Sequence, residues 1–299
     1  MLQRIKAGFN YLLVQIIIVF RPFLGDQIYL KLIFRRLVGY NLNLDDPKSY
    51  NEKLQWLKLY DKNPLYTTLV DKDLVKDYVA HLIGAEYIIP TYGVWENPNQ
   101  IEWNKLPDEF ILKTTQGGGC EGVVICRNKE NFDKKKAINK LKKALKQDLY
   151  KKLLEWPYRN VQRKIIAEKL LAGEDGKAPR DYKIYCFNGV PKVMVIATER
   201  FCVSHAYFDY FDMNGNHLPI TQGDINNPVM PQIPQNFDEM KKIAAKLSQG
   251  IPQVRVDLYS VENKVYFGEL TLFDSSGFAK FTPVEWDYIW GDWIMLPLN

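Results

Sequence analysis

The chain has 299 residues, of which 46% are hydrophobic and 25% charged, with a formal net charge of +5. That composition supplies core for one large domain or two joined lobes and excludes a disordered chain. The lysines cluster between Lys134 and Lys152 with no arginine and a single aromatic, Tyr150, among them, which fits a solvated helix face better than an arginine and aromatic code for nucleic acid.

At the N-terminus Arg4 and Lys6 precede an apolar run over residues 11–20. That run is shorter than the roughly 20 apolar residues a bilayer span needs. Arg21 and Pro22 stand where a signal peptide would carry small residues for cleavage. Two readings stay open: a helix packed on the domain, or one lying among lipid headgroups with Arg4, Lys6, Arg21, Lys31, Arg35 and Arg36 nearby. Residues 26–60 read as helical with a break over 41–47, where Asp45-Asp46-Pro47 and Ser49 give turn and capping signals. A second helix is expected over residues 67–82, with Asp71-Lys72 in its first turns and Gly84 ending it.

From Glu86 the pattern turns to strands: EYIIPTYGVW, FILKTT and GVVIC. The last two enclose Gln116-Gly117-Gly118-Gly119-Cys120-Glu121, a glycine-rich hairpin loop. Glycine lets backbone N–H groups approach an anion closely, and Lys113 adds a point charge at the end of the incoming strand. A merely flexible loop has the same composition, and the GxxxxGK[ST] pattern is absent. Cys120, Cys126, Cys186 and Cys202 show no CxxC spacing, and His81, His205 and His217 are scattered, so zinc-finger and thiol-protease readings lack support. Free cysteines fit a reducing, cytoplasmic setting. No G-x-S-x-G elbow marks a serine hydrolase.

Residues 134–154 read as one basic helix, and KIIAEKLL (164–171) as an apolar strand. Residues 181–187 and 191–198 pair across Asn188-Gly189, which puts Asp181, Lys183 and Tyr185 on one side. HAYFDYFDMNGN is aromatic-rich with a turn at Asn214-Gly215; residues 219–236 are loop and 237–248 an amphipathic helix.

VRVDLYSVENKVYFGELTL (254–272) reads as a hairpin turning at Glu262-Asn263-Lys264. Val254, Val256, Leu258, Leu270 and Leu272 make an apolar face, and Arg255, Asp257, Glu269 and Thr271 a charged one. A three-residue loop centred on Asn263 sets Asp257 directly across from Glu269. Like charges about 5 Å apart are destabilising there, unless a hard divalent cation bridges them or Arg255 neutralises one acid on a solvated face. Asp274-Ser275-Ser276-Gly277 follows as a polar loop, and a last helix over 283–296 carries Trp286, Ile289, Trp290 and Trp293 on one stripe.

The order of these parts, with NEKLQWLKLYD, LVDKDLVKDYV, IIPTYGVW, GVVIC, RDYKIYCFNG, VRVDLY and YFGELT, resembles the TupA-like ATP-grasp family of bacterial polysaccharide and teichuronopeptide biosynthesis from about Asp26 onward. The resemblance implies an α+β ATP-grasp fold: an N-terminal helical segment (1–64), a small lobe with the glycine loop (65–167) and a large lobe with the metal site (168–299). It implies that Lys72 and Lys113 contact ATP phosphates under a loop containing Gln116, Gly117, Gly118 and Gly119. Glu168, Lys169, Leu170 and Leu171 would form the adenine hinge, with Glu168 accepting an adenine or ribose hydrogen bond. Asp257 and Glu269 would bind Mg²⁺ with Thr271, which stands where many relatives carry Asn. Arg255, on the face of the metal acids, would stabilise the transferring phosphoryl group, and Lys183 and Arg180 would help hold phosphate or the acceptor carboxylate; a surface ion pair between Lys183 and Asp181 is the other reading.

The implied reaction is ATP-dependent ligation of a carboxylate to an amine. Its expected partners are a glycan or glycopeptide acceptor and a small amine donor, in the cytoplasm or at the inner face of the membrane. A sugar kinase, a glycosyltransferase using Asp209 and Asp212, and an inactive nucleotide-binding scaffold are the alternatives.

Overall fold

The structure is a computed structural model that describes residues 2–173, 178–199 and 206–297, with side chains from residue 10 onward. Cys202 and His205 lie outside the described residues. The chain opens with α1 (Leu2–Phe20) and α2 (Asp26–Leu37), followed by α3 (Tyr50–Tyr60), α4 (Leu65–Val70) and α5 (Leu74–Ile83). The signal at Ser49 is a capping box: its hydroxyl accepts from the Glu52 N–H while the Glu52 carboxylate accepts from the Ser49 N–H.

The single helix expected over 67–82 is two, and Asp71-Lys72 fall in the break between them. Asp71 is extended, and its carboxylate accepts from the N–H groups of Asp73 (2.9 Å) and Leu74 (3.4 Å). That local bonding offers the backbone an alternative to the helical ladder. The Lys72 N–H donates instead to the Thr115 carbonyl at 3.2 Å, which ties the break to the strand of the glycine loop.

A four-stranded antiparallel sheet follows, in the order β1-β4-β2-β3: β1 (Thr91–Trp95), β2 (Phe110–Thr114), β3 (Val123–Cys126) and, after two helices, β4 (Ile165–Lys169). Those helices, α6 (Lys134–Leu145) and α7 (Leu149–Leu153), replace the single basic helix expected. Asp148 stops one and caps the next, its carboxylate accepting from the Lys151 N–H at 2.9 Å. Phe110, Leu112, Cys126, Leu141, Ile165 and Ala167 make a small separate core beneath this sheet.

The second sheet has six antiparallel strands in the order β10-β9-β5-β6-β7-β8. They are β5 (Asp181–Phe187), β6 (Val190–Thr198), β7 (Tyr207–Asp212), β8 (His217–Leu218), β9 (Gln253–Val261) and β10 (Lys264–Thr271), with α8 (Phe237–Leu247) before β9 and α9 (Glu285–Trp293) at the end. The main core lies against this sheet and takes in Tyr29, Leu30, Ile33 and Phe34 of α2, Leu54 and Leu57 of α3, and Val75 and Val79 of α5. The residues expected in the small lobe from 65 therefore divide, since α4 and α5 pack into the large core and the small sheet begins at Thr91.

The aromatic segments serve packing. Tyr210, Phe211, Phe273, Phe281 and Trp290 are buried in the main core. Asp212 holds the Asn214-Gly215 turn by accepting from the N–H groups of Asn214 and Asn216, and the Asp209 carboxylate is fully buried, so neither is placed to bind a nucleotide sugar.

Candidate active site

Register across three neighbouring strands builds the charged face of the six-stranded sheet. Lys183 of β5 lies beside Asp257 of β9, and Asp257 beside Glu269 of β10. One step along, Tyr185, Arg255 and Thr271 form a second row. The turn is two residues long, not three: Glu262 and Asn263 both adopt positive φ (51° and 56°), and Val261 pairs with Lys264. A two-residue turn alone would put Asp257 opposite Gly268. A β-bulge between Phe267 and Glu269 shifts the register by one and restores the facing acids.

The ionic network follows from those rows. Lys183 Nζ sits 2.8 Å from Asp181 and also bonds Asp257, so the pair with Asp181 is formed as part of a buried network. Arg255 donates from Nε to Asp257 at 2.6 Å and from Nη2 at 2.8 Å, reaches the Thr271 hydroxyl at 3.1 Å, and bonds Asp274. Tyr185 donates to the other Asp274 oxygen at 3.0 Å. Lys72 crosses from the α4–α5 break to Glu269 at 3.1 Å and donates to the Gly117 carbonyl. Burial pushes the Asp257 carboxyl up, against the pull of Arg255 and Lys183. Burial opposes ionisation of Glu269 too, but Lys72, Lys183 and Arg255 outweigh it and hold that carboxyl well below the ordinary range.

On the small sheet, Lys113 and Glu168 share the face away from the small core. Glu168 is 4% exposed, and its carboxylate is taken by Lys113 at 2.7 Å and by Lys76 of α5. Burial would raise the Glu168 pKa; the two ammonium groups lower it instead. The Glu168 side chain thus holds two lysines in place. The Gln116 side chain also turns away, with its amide nitrogen 3.3 Å from the Ala144 carbonyl of α6.

One cleft gathers most of the expected residues. Lys72, Lys113, Gly119, Lys169, Leu170, Leu171, Asp257 and Glu269 line it, with Ile89, Ile111, Val123 and Ile125 forming an apolar wall. Lys183, Arg255 and Thr271 back the acids from the next positions in the sheet. Arg180 is exposed and does not line the cleft. Lys76, Asp181, Asp274 and Arg127 were not foreseen as site residues. For Lys76 the one available signal was its position four residues after Lys72, one helical turn on.

Among the described residues no cluster of three or more His, Cys, Asp or Glu side chains is arranged to hold a metal alone. Mg²⁺ does not require one, because it is bound by one or two carboxylates together with substrate phosphates and water. Asp257 and Glu269 offer two facing carboxylates of that kind, so the donor set fits. The Thr271 hydroxyl is engaged by Arg255.

An apolar slot leading to lysines and paired acids, held between two antiparallel sheets, is the arrangement of the ATP-grasp fold class. The chain belongs to the TupA-like ATP-grasp family, whose model matches residues 52–295. Solved structures with a similar outline are distant. N5-carboxyaminoimidazole synthetase from Staphylococcus aureus with ADP is 15% identical over 84% of this chain and 60% of its own, with a TM-score of 0.47. D-Alanine–D-alanine ligase from Helicobacter pylori is 16% identical over 77% and 64% (TM-score 0.43), and that from Bacillus anthracis with ATP is 12% identical over 69% and 54% (TM-score 0.40). The chain thus spans somewhat over half the length of these structures, and it is the family match that assigns it. No curated protein sequence matches it significantly.

Proposed function

We propose that the chain is an ATP- and Mg²⁺-dependent carboxylate–amine ligase that amidates an acidic group, a uronic acid or glutamate, during bacterial surface polysaccharide biosynthesis. The observation that carries the reading is the Lys183–Asp257–Glu269 row at the polar end of a cleft whose other end is apolar.

The adenine would lie against Ile89, Ile111 and Leu171, with the Lys169 to Leu171 backbone at its edge. Lys72 and Lys113 would meet the phosphates under the loop from Gln116 to Gly119. Mg²⁺ held by Asp257 and Glu269 would neutralise phosphate charge. Arg255 and Lys183 would stabilise the charge that develops as a substrate carboxylate oxygen bonds to the γ-phosphorus and ADP leaves. The amine nitrogen then attacks the acyl carbon, phosphate departs, and the nitrogen loses a proton. Glycine-loop closure would keep water from the acyl phosphate.

The test is release of ADP and inorganic phosphate that needs both a carboxylate and an amine. Release that needs neither overturns the reading, and ADP without free phosphate identifies a kinase on the same fold.

A further inference from the structure

The segment before the family match carries a surface that the cleft does not use. The profile begins at residue 52, whereas α1 and α2 occupy residues 2–37. Residues 1–40 hold six basic side chains (Arg4, Lys6, Arg21, Lys31, Arg35, Arg36) and one acid (Asp26). Their net charge of +5 is the whole of the chain's +5, so the remaining residues sum to zero.

The two helices form an antiparallel pair fixed to the body. Asn10 donates to the Arg36 carbonyl at 2.8 Å, and Arg21 pairs with Asp26 at 2.5 Å where the chain turns. Val14, Ile17 and Ile18 face the core, and Tyr29, Leu30, Ile33 and Phe34 bury the inner side of α2. The outer side is apolar where solvent should be: Leu12, Ile16, Val19, Phe20 and Phe23 recur at helical spacing, with Val19 71% and Phe23 84% exposed. On α2, exposed Ile28 and Leu32 continue the patch beside exposed Lys31, Arg35 and Arg36.

Among the described residues no helix is long and apolar enough to cross a membrane. An exposed apolar stripe flanked by cations is instead the pattern of a helix lying in the lipid interface, its apolar face sunk about 5–10 Å. We propose that the α1–α2 pair docks the protein on an anionic bilayer surface, with the apolar stripe entering the acyl boundary and Lys31, Arg35 and Arg36 meeting lipid phosphates. The charge complementarity selects this occupant over a second copy of the chain, whose own patch carries the same positive charge. The assignment is independent of the ligase reading, because it uses no residue of the cleft.

Flotation of the full chain with vesicles tests it. Binding is expected to equimolar phosphatidylglycerol–phosphatidylcholine vesicles and not to phosphatidylcholine alone, and to weaken with salt. Neutralising three surface cations in K31Q/R35Q/R36Q should reduce partitioning on the order of a hundredfold. F20S/F23S should reduce it as well, with the far-UV circular dichroism and thermal midpoint of both variants unchanged. No flotation with anionic vesicles at low salt overturns the proposal, as does flotation that neither variant weakens. A dimer in analytical ultracentrifugation that F20S/F23S dissociates, without vesicle binding, also overturns it by assigning the face to a second copy.

Discussion

Asp257 faces Glu269 because Gly268 is an extra residue in the strand between them. The hairpin's two-residue turn sets one register and the bulge resets it, so the two acids share a face only beyond the bulge. A Cβ at Gly268 would meet the Asp257 carbonyl oxygen and the Tyr259 ring at 3.0 Å each. Deleting Gly268 should leave Glu269 opposite Asp257, since the residue after Phe267 then falls across from Asp257, whereas an alanine inserted after Gly268 should carry Glu269 past Asp257 or break the pairing beyond the bulge. For the insertion we expect ATP turnover to fall by on the order of a hundredfold or more, as for loss of one electrostatic element of an active site. Turnover assays beside circular dichroism check this; full activity in a folded insertion variant would rule out the facing-acid site.

The acids themselves should separate by burial. Glu269 is about one-third exposed, with a side-chain figure of 34%, whereas Asp257 is 2% exposed. E269Q should therefore lose ATP turnover by on the order of 100- to 1000-fold and lose less stability than D257N, because solvent screens the Glu269 pairs with Lys72 and Arg255. D257N should lose turnover too and also destabilise the fold, because Arg255 and Lys183 keep their charges in a buried site. Urea midpoints together with kcat for the two variants distinguish these outcomes. Equal stability losses would mean that Asp257 is not the buried anchor of the network.

How much of this was legible in the sequence varied with the range of the interaction. Alternation of apolar and charged residues in VRVDLY and YFGELTL placed Arg255, Asp257, Glu269 and Thr271 on one face, because strand periodicity is local. The same reasoning reached the right acid pair through the wrong loop length, since a bulge leaves little trace beyond a glycine in a strand. Lys76 and Asp274 escaped notice because their partners, Glu168 and Arg255, are brought near only by tertiary packing. The two lysine partners of Glu168 were missed for the same reason: nothing local announced that Lys76 and Lys113 would share its carboxylate.

Those lysines lead to a stability prediction. E168A removes the counter-charge of Lys76 and Lys113 from a site where the carboxylate is almost fully buried. Breaking a buried ion pair by deleting one partner costs about 3–5 kcal/mol. Chemical denaturation should show a loss in that range, and E168Q, which keeps the shape and some hydrogen bonding, should lose less. A loss within experimental error for E168A would show that solvent already screens the triad.

The glycine loop makes a steric prediction. A Cβ built on Gly117 would lie 2.5 Å from Thr114 Oγ1, and one on Gly122 would meet the same oxygen. Both glycines are thus required by Thr114 and not by loop flexibility. G122A should destabilise by about 1–3 kcal/mol and raise KM for ATP, while G122A/T114A should recover most of both losses. A double variant no better than G122A would place the requirement elsewhere in the loop.

The last prediction concerns pH. Lys58 is 1% exposed, and its Nζ donates to the Leu153 carbonyl at 2.9 Å and to the Ser276 carbonyl at 2.7 Å, with Glu155 the acid nearby. Burial lowers its pKa to about 7 from the ordinary 10.5, with Glu155 opposing. Below the folded value both states are protonated, and the cost of burying the charge is present in full. As pH rises through the window from about 7 to 10.5, the folded chain releases a proton that the unfolded chain keeps, so this group makes stability rise with pH. One such proton gives a slope of at most about 1.4 kcal/mol per pH unit. Unfolding free energies of the wild type and of K58M/E155Q across that window check it: the wild type should gain on the double variant as pH rises. A constant difference between them would mean that the hydrogen bonds to residues 153 and 276 keep Lys58 charged throughout.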